Sequence, residues 1–260
     1  MSTLVIVLDL DGTIIGDIRY QLQTYELLKT VQKPARHLDL ASRLKNGLIR
    51  PGFDRFVQEM KNQNIELFVY TASEKTWALQ VIGVIEKIYN FKFNRPIFTR
   101  NDCTYVENEN VLKKNLRCIK PMITRALKKR YPNINLSNRM MMIDNSNVFY
   151  PEDMDCVLKC RTYNFKYPEN IPCFIDYDTY VKHKDRIHEQ FKFPHTPTSY
   201  HDFQRMFYTS YVHLLGTITH DNTKEHMDRF WYNLGNIIVQ KNIKVFSPKV
   251  VAYLNRKCGH

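Results

Sequence analysis

No run of about eighteen apolar residues occurs in this 260-residue chain, so no transmembrane helix is expected. No basic stretch precedes the first apolar segment, so a cleaved signal peptide is not expected either. The six cysteines (Cys103, Cys118, Cys156, Cys160, Cys173 and Cys258) include no C-x-x-C pair. That usage fits reduced thiols in a cytosolic or nuclear compartment rather than a disulfide framework. Cys156 and Cys160 lack a second pair with which to build a zinc site. Repeats and long low-complexity tracts are absent, and glycine is scarce at eight residues. Few glycines with abundant Lys, Asn and Tyr is a composition associated with AT-rich genomes, those of large DNA viruses among them. Acidic residues are under-represented: 26 against 38 Lys and Arg, for a net charge of +12. Such a balance favours acidic partners without choosing among them.

An apolar content of 43% is ample for a core, and the chain fits one large domain or one domain with an appendage. Strand-like runs occur at 4–9, 65–70, 139–143 and about 156–161. Between them the patterns are helical: after Pro51, over 74–88, and from Pro121 to Arg130. Alternating strands and helices predict an α/β fold with a doubly wound parallel sheet. The polar stretch from about 92 to 112 reads as a small hairpin excursion. From about 174 the buried-strand runs stop and apolar residues recur at helical spacing, as in Phe203, Met206, Phe207, Tyr211 and Leu214. The expected division is therefore 1–173 and a mainly helical 174–260, with a connector at Phe191–Ser199 around Pro194 and Pro197.

Chemistry-bearing residues cluster at the predicted strand ends. Leu4-Val5-Ile6-Val7-Leu8 runs into Asp9-Leu10-Asp11-Gly12-Thr13. Two aspartates two apart point the same way, beyond the carboxyl end of a strand, where open α/β sheets bind ligands. A carboxylate attacking a phosphoryl group needs a divalent cation to neutralise charge. Asp9 suits the nucleophile, and Asp11 suits an acid that protonates the leaving oxygen and then activates water. Gly12 permits a tight turn, and Thr13 can hydrogen-bond locally. An ordinary polar turn would look the same, so later segments decide. Val69-Tyr70-Thr71-Ala72-Ser73 places a hydroxyl and free N–H groups before a helix, the setting for a phosphate or for a plain N-cap. Lys120, before Pro121, is a candidate phosphate ligand. It lies within 110–143, where there are nine basic residues and no acidic ones. Met141-Met142-Ile143-Asp144-Asn145 ends a further strand in oxygen donors suited to Mg²⁺.

Asp-x-Asp-Gly-Thr, followed in order by the threonine, lysine and Asp-Asn segments, resembles the haloacid-dehalogenase (HAD) superfamily of phosphotransferases. Arg50-Pro51-Gly52, Tyr70-Thr71-Ala72-Ser73 and Ile143-Asp144-Asn145-Ser146 narrow this to a resemblance to its FCP/SCP-like, or NLI-interacting-factor-like, phosphatases. Those include phosphatases of the RNA polymerase II C-terminal domain. The resemblance covers roughly residues 4–165. It implies an aspartyl-phosphate on Asp9, general acid/base action by Asp11, and Mg²⁺ held by Asp9, the Asp11 carbonyl, Asn145 and Asp144. It also implies phosphate contacts from Thr71, Ala72 and Lys120, with Lys113 and Lys114 as alternatives to Lys120. Arg100, in Thr99-Arg100-Asn101-Asp102-Cys103, resembles that family's substrate-facing arginine. Gly12 stands where the branch commonly has an acidic residue, and Asn147 where it has proline.

About 58 residues separate Asp11 from Tyr70, too few for a large cap domain. The expected activity is therefore a Mg²⁺-dependent phosphatase acting on a phosphorylated macromolecule. Phosphoserine or phosphothreonine of a protein is favoured over nucleic acid. An acidic partner contact through 110–143 is a further expectation. Two alternatives stand beside it: a polynucleotide end phosphatase, and a scaffold or viral assembly protein built on the same core. His220 and His226 do not have helix-face spacing, and Phe230-Trp231-Tyr232 reads as core rather than a base-stacking platform.

Overall fold

Strand β1 (Leu4–Leu8) is buried along its whole length because both of its faces carry core residues. The computed structural model describes residues 3–16, 40–167 and 175–259. Leu4, Ile6 and Leu8 enter one apolar cluster, and Val5 and Val7 enter another on the opposite face. A strand covered on both sides reads as a continuous apolar run, which is what the sequence carries there. Helix α1 (Phe53–Asn62), β2 (Ile65–Val69) and α2 (Lys75–Tyr89) follow. A small antiparallel hairpin, β3 (Thr104–Val106) with β4 (Val111–Lys113), fills the polar stretch as expected. Then come α3 (Leu116–Leu127), β5 (Met140–Asp144) and β6 (Val157–Lys159). The main sheet is parallel in the order β2-β1-β5-β6.

Register does the positioning. Leu8 lies opposite both Val69 and Ile143, so three strands end level. Asp9, Tyr70-Thr71 and Asp144-Asn145 therefore emerge together at the carboxyl edge of the sheet.

Helix α3 begins at Leu116, five residues before the proline that was expected to start it. Asn115 caps it, its side chain accepting from Cys118 N at 3.2 Å. Asp153 Oδ2 accepts from Leu116 N at 3.0 Å. Two satisfied N-terminal donors fix the start, and Pro121 sits inside the helix. Lys120 is thus on its second turn, not beside its N-terminus.

The C-terminal helices divide between two cores. Helices α4 (Tyr177–Lys182), α5 (Lys184–Phe191) and α6 (Tyr200–His226) enclose an aromatic cluster of their own around Phe193, Phe203 and Phe207. Helices α7 (Phe230–Gln240) and α8 (Pro248–Cys258) join the sheet's main core. Trp231 is fully buried, with ring centroids 5.1 and 4.6 Å from Phe53 and Phe56 of α1. The boundary expected at 173/174 lies outside the described residues, as do Cys173, His37 and His260. Among the described residues, no helix is long and apolar enough to cross a membrane.

Candidate active site

Asp9 continues the sheet ladder, its N–H donating to the Ile143 carbonyl at 2.9 Å, and its carboxylate stands at the sheet's edge. Asp9 Oδ1 accepts from Lys114 Nζ at 2.6 Å, and Oδ2 from Thr13 Oγ1 at 3.1 Å. Lys114 also donates to Asp144 Oδ2 at 2.6 Å. All three side chains are buried. Burial alone would lower the lysine's pKa, but the charges of Asp144 and Asp9 more than reverse this, so Lys114 stays an ammonium. Burial, then the charge of Asp144, pushes the Asp9 carboxyl above its ordinary value against the pull of Lys114.

The lysine at the site is therefore Lys114, not Lys120. Its backbone N–H donates to the Val148 carbonyl at 2.7 Å, which holds the residue beside the strand ends. Lys120 is six residues further on, along α3, where it lines a basic groove. Proline at a helix start is a good general signal, but here Asn115, next after Lys114, caps the helix and Pro121 falls inside it.

Asp144 also has another partner set than the cation contact expected of it. Its Oδ2 is taken by Lys114, and its Oδ1 accepts from Ser146 N at 2.7 Å. Both oxygens are committed, and Asp144 acts as the second anchor of the lysine.

Asp11 faces the second strand end. Its Oδ2 accepts from Thr71 Oγ1 at 3.2 Å and from Ser73 Oγ in a short contact. Burial pushes its carboxyl upward, with the Ser73 and Thr71 hydroxyls pulling the other way. Oδ1 takes neither hydroxyl. Thr71 in turn accepts from Ser73 N at 3.1 Å, closing the 71–73 turn. Ser73 is a site residue that sequence reasoning did not single out. Its only signal was a second hydroxyl two positions after Thr71.

Asn145 completes the centre. The inward atom of its amide lies 3.1 Å from Thr13 Oγ1 and 3.2 Å from both Asp9 Oδ2 and the Asp11 carbonyl oxygen. As nitrogen, that atom donates to these oxygens. As oxygen, it closes a cluster of three oxygen donors suited to holding a cation between them. A carboxylate, a peptide carbonyl and an amide are the hard donors Mg²⁺ takes, with waters completing six. The residues fit Mg²⁺ on this ground. Among the described residues, no group of three or more His, Cys, Asp or Glu is placed to hold a metal ion.

Gly12 makes the turn between these groups possible. Its φ is +77°, and a Cβ added there would lie 2.5 Å from Asn145 Nδ2. Gly12→Ala is expected to cost about 1–2 kcal/mol for the left-handed backbone and to displace the Asn145 amide. Differential scanning calorimetry with and without Mg²⁺ separates the two effects: Tm falls, and the shift on adding Mg²⁺ shrinks.

Arg100 flanks the 71–73 turn and bonds to Ala72 at its middle. Arg100 Nε donates to the Ala72 carbonyl at 3.0 Å and Nη1 to Glu74 at 2.7 Å, with the side chain half exposed at the rim.

A family model described as NLI interacting factor-like phosphatase matches residues 4–189 of this chain. Comparison with curated proteins finds no match. Among solved structures the chain is similar to a variant of fission yeast RNA polymerase II CTD phosphatase Fcp1 bound to beryllium fluoride. That match has 16% identity over 96% of this chain and 69% of the other, with a TM-score of 0.40. A phospho-aspartyl intermediate analogue of phosphoserine phosphatase matches at 10% identity over 55% of this chain and 78% of the other, with a TM-score of 0.31.

Proposed function

Since the chain belongs to the NLI interacting factor-like phosphatase family, and is thus a HAD-type phosphatase, we propose that it hydrolyses a phosphomonoester with Mg²⁺ through a phosphorylated Asp9. The observation that carries this is the pairing of Lys114 with the Asp9 carboxylate, and the meeting of Asp9 Oδ2 and the Asp11 carbonyl at one atom of the Asn145 amide.

In this reading Asp9 Oδ2, the Asp11 carbonyl and Asn145 hold Mg²⁺, which when bound neutralises phosphoryl charge and keeps Asp9 ionised. Lys114 spends two of its three ammonium protons on Asp9 and Asp144, and with no further hydrogen-bond partner among the described residues the third is available to a phosphoryl oxygen. The N–H of Ala72 takes a further oxygen, and Thr71 takes another when its hydroxyl turns from Asp11 to the phosphate. An Asp9 oxygen attacks phosphorus, the P–O bond to the ester breaks, and the Asp11 proton goes to the leaving oxygen. Asp11, now ionised, takes a proton from water as that water attacks phosphorus. Phosphate leaves and Asp9 is regenerated.

The environments of the two carboxyls support the division of labour. Burial pushes both carboxyls upward, and their partners separate them: Asp9 meets the Lys114 ammonium and would meet the cation, which favour its ionised form, while Asp11 meets two hydroxyls and keeps the protonated form a general acid needs. For an alkyl phosphate, whose leaving group needs the proton, kcat/KM is expected to fall as pH rises through the elevated Asp11 value. A pH–rate profile of the wild-type enzyme with an alkyl phosphate measures that alkaline limb. Lys114→Met should lower kcat by about 10²–10³-fold, the usual cost of losing a preorganised charge donor. Steady-state kinetics with an aryl phosphate measures this loss.

For the substrate we favour phosphoserine or phosphothreonine in an acidic protein segment, with Arg100 touching the chain beside the phosphate. The groove of about 550 Å³ along α3 supports this, lined by Arg117, Lys120, Pro121, Thr124, Arg125 and Lys128. Among the described residues, Lys120, Arg125 and Lys128 have no ion-pair partner, and no aromatic ring lines the groove for a base to stack on. Reversing Lys120, Arg125 and Lys128 to Glu should raise KM for an acidic phosphopeptide with kcat unchanged, and leave an aryl phosphate unaffected. A steeply salt-dependent preference for a phosphorylated oligonucleotide would favour the nucleic-acid alternative instead.

A further inference from the structure

Beyond the reach of the family match, the chain supplies buried carboxylates that hold the back of the site. Asp228, in the turn between α6 and α7, accepts four hydrogen bonds. Its Oδ1 takes Arg50 Nε and Phe230 N, each at 2.9 Å. Its Oδ2 takes Arg50 Nη2 at 2.8 Å and Arg161 Nη2 at 3.0 Å. Glu225, in the last turn of α6, takes both terminal nitrogens of Arg161 at 2.8 and 2.9 Å. Arg50 is 1% exposed and spends its remaining nitrogen on the Arg161 carbonyl, 3.0 Å away.

The clamped segment runs directly beneath the candidate cation site. Cys160 N donates to the Asp144 carbonyl at 2.9 Å, and its Sγ lies 3.8 Å from Thr13 Oγ1. Thr162 Oγ1 lies 3.1 Å from the outward atom of the Asn145 amide. Tyr163 N donates to the Gly12 carbonyl at 2.8 Å. Residues 160, 162 and 163 thus touch the catalytic turn, and residue 161 between them is the one the carboxylates grip.

We infer that Asp228 and Glu225 are positioning residues for the cation site. They fix Arg161 and Arg50, these fix the 160–163 segment, and that segment seats Thr162 against Asn145. The helical C-terminal region is then part of the catalytic apparatus. The inference rests on the reading of Asn145 as a Mg²⁺ ligand, proposed above.

The test is Mg²⁺ affinity by isothermal calorimetry, run well below each variant's Tm. Thr162→Val removes the last contact without touching the ion pairs, and should weaken Mg²⁺ by about tenfold, the lower end for residues that orient a ligand, with little change in Tm. Asp228→Asn should lower Tm and weaken Mg²⁺ by a similar factor. The double variant should bind Mg²⁺ no more weakly than Asp228→Asn alone, because both act along one path. Glu225→Gln is the milder variant if Asp228→Asn does not fold, with the same expectation. Lower Tm with unchanged Mg²⁺ affinity in the carboxylate variants would overturn the inference and leave the ion pairs a purely structural role. Failure of the wild-type protein to bind Mg²⁺ would overturn the functional reading, and this inference with it.

Discussion

Asp9→Asn should abolish turnover, lowering kcat by about 10⁵-fold or more, as losses of a covalent nucleophile do, in a protein that still folds. The amide keeps the shape of the carboxylate but cannot form the acyl phosphate. Folding is spared because burial and the Asp144 charge already disfavour the ionised form of Asp9. Lys114 keeps its bond to Asp144. The variant also separates enzyme from scaffold. Full biological rescue by a folded, inactive Asp9→Asn protein would place the role in binding rather than hydrolysis, and loss of the phenotype would place it in catalysis. Phosphate release from an aryl phosphate, with Tm as the folding control, measures the first point.

Arg50→Met should destabilise the fold by about 3–5 kcal/mol, the usual cost of removing one partner of a buried ion pair. Arg50 and Asp228 have side chains 1% and 5% exposed, joined by two parallel hydrogen bonds. Without the guanidinium, Asp228 keeps Phe230 N and Arg161 but loses both bonds to Arg50 in a buried setting. The Phe230 ring also loses the cation lying 4.5 Å from its centroid. Urea denaturation gives the value directly. The pH dependence follows from the same pair. Burial raises the Asp228 carboxyl, but the hydrogen bonds and charge of Arg50 outweigh it, leaving the carboxyl below its ordinary value. A depressed folded value contributes stability that is full above the unfolded value near about 4 and is lost as pH falls through the folded one. The wild type should therefore lose part of its stability as pH drops below about 4, and Arg50→Met should lose less over that range.

Much of this was legible because strand ends in a parallel sheet are marked twice, by an apolar run and by the polar residues that stop it. That double mark points to Asp9, Asp11, Thr71, Asp144 and Asn145, which the fold brings together at one edge of the sheet. What it could not give was pairing across the chain. Lys114 lies in an exposed-looking basic stretch, and only the three-dimensional meeting of β4 with the strand ends shows it buried between two carboxylates. Thr162 and Ser73 are short hydroxyl residues whose partners lie 17 and 62 positions away. The same applies to Asp228, one acid among many in a helical region. Its importance comes from Arg50, 178 positions earlier, and no periodicity links the two. Phe230 and Trp231, by contrast, were readable as core because helical spacing and aromatic size agree, and they are buried.

The central claim is that phosphate passes through Asp9, and the most direct measurement is an acid quench of Asp11→Asn during turnover of a ³²P-labelled aryl phosphate with Mg²⁺. A good leaving group needs no proton, so Asp9 should still be phosphorylated, while the missing base leaves the intermediate unhydrolysed. The account predicts a hydroxylamine-labile label on the peptide carrying Asp9, absent with EDTA and absent in the Asp9→Asn protein. Label on another residue, or none while the wild-type enzyme turns over, would contradict it.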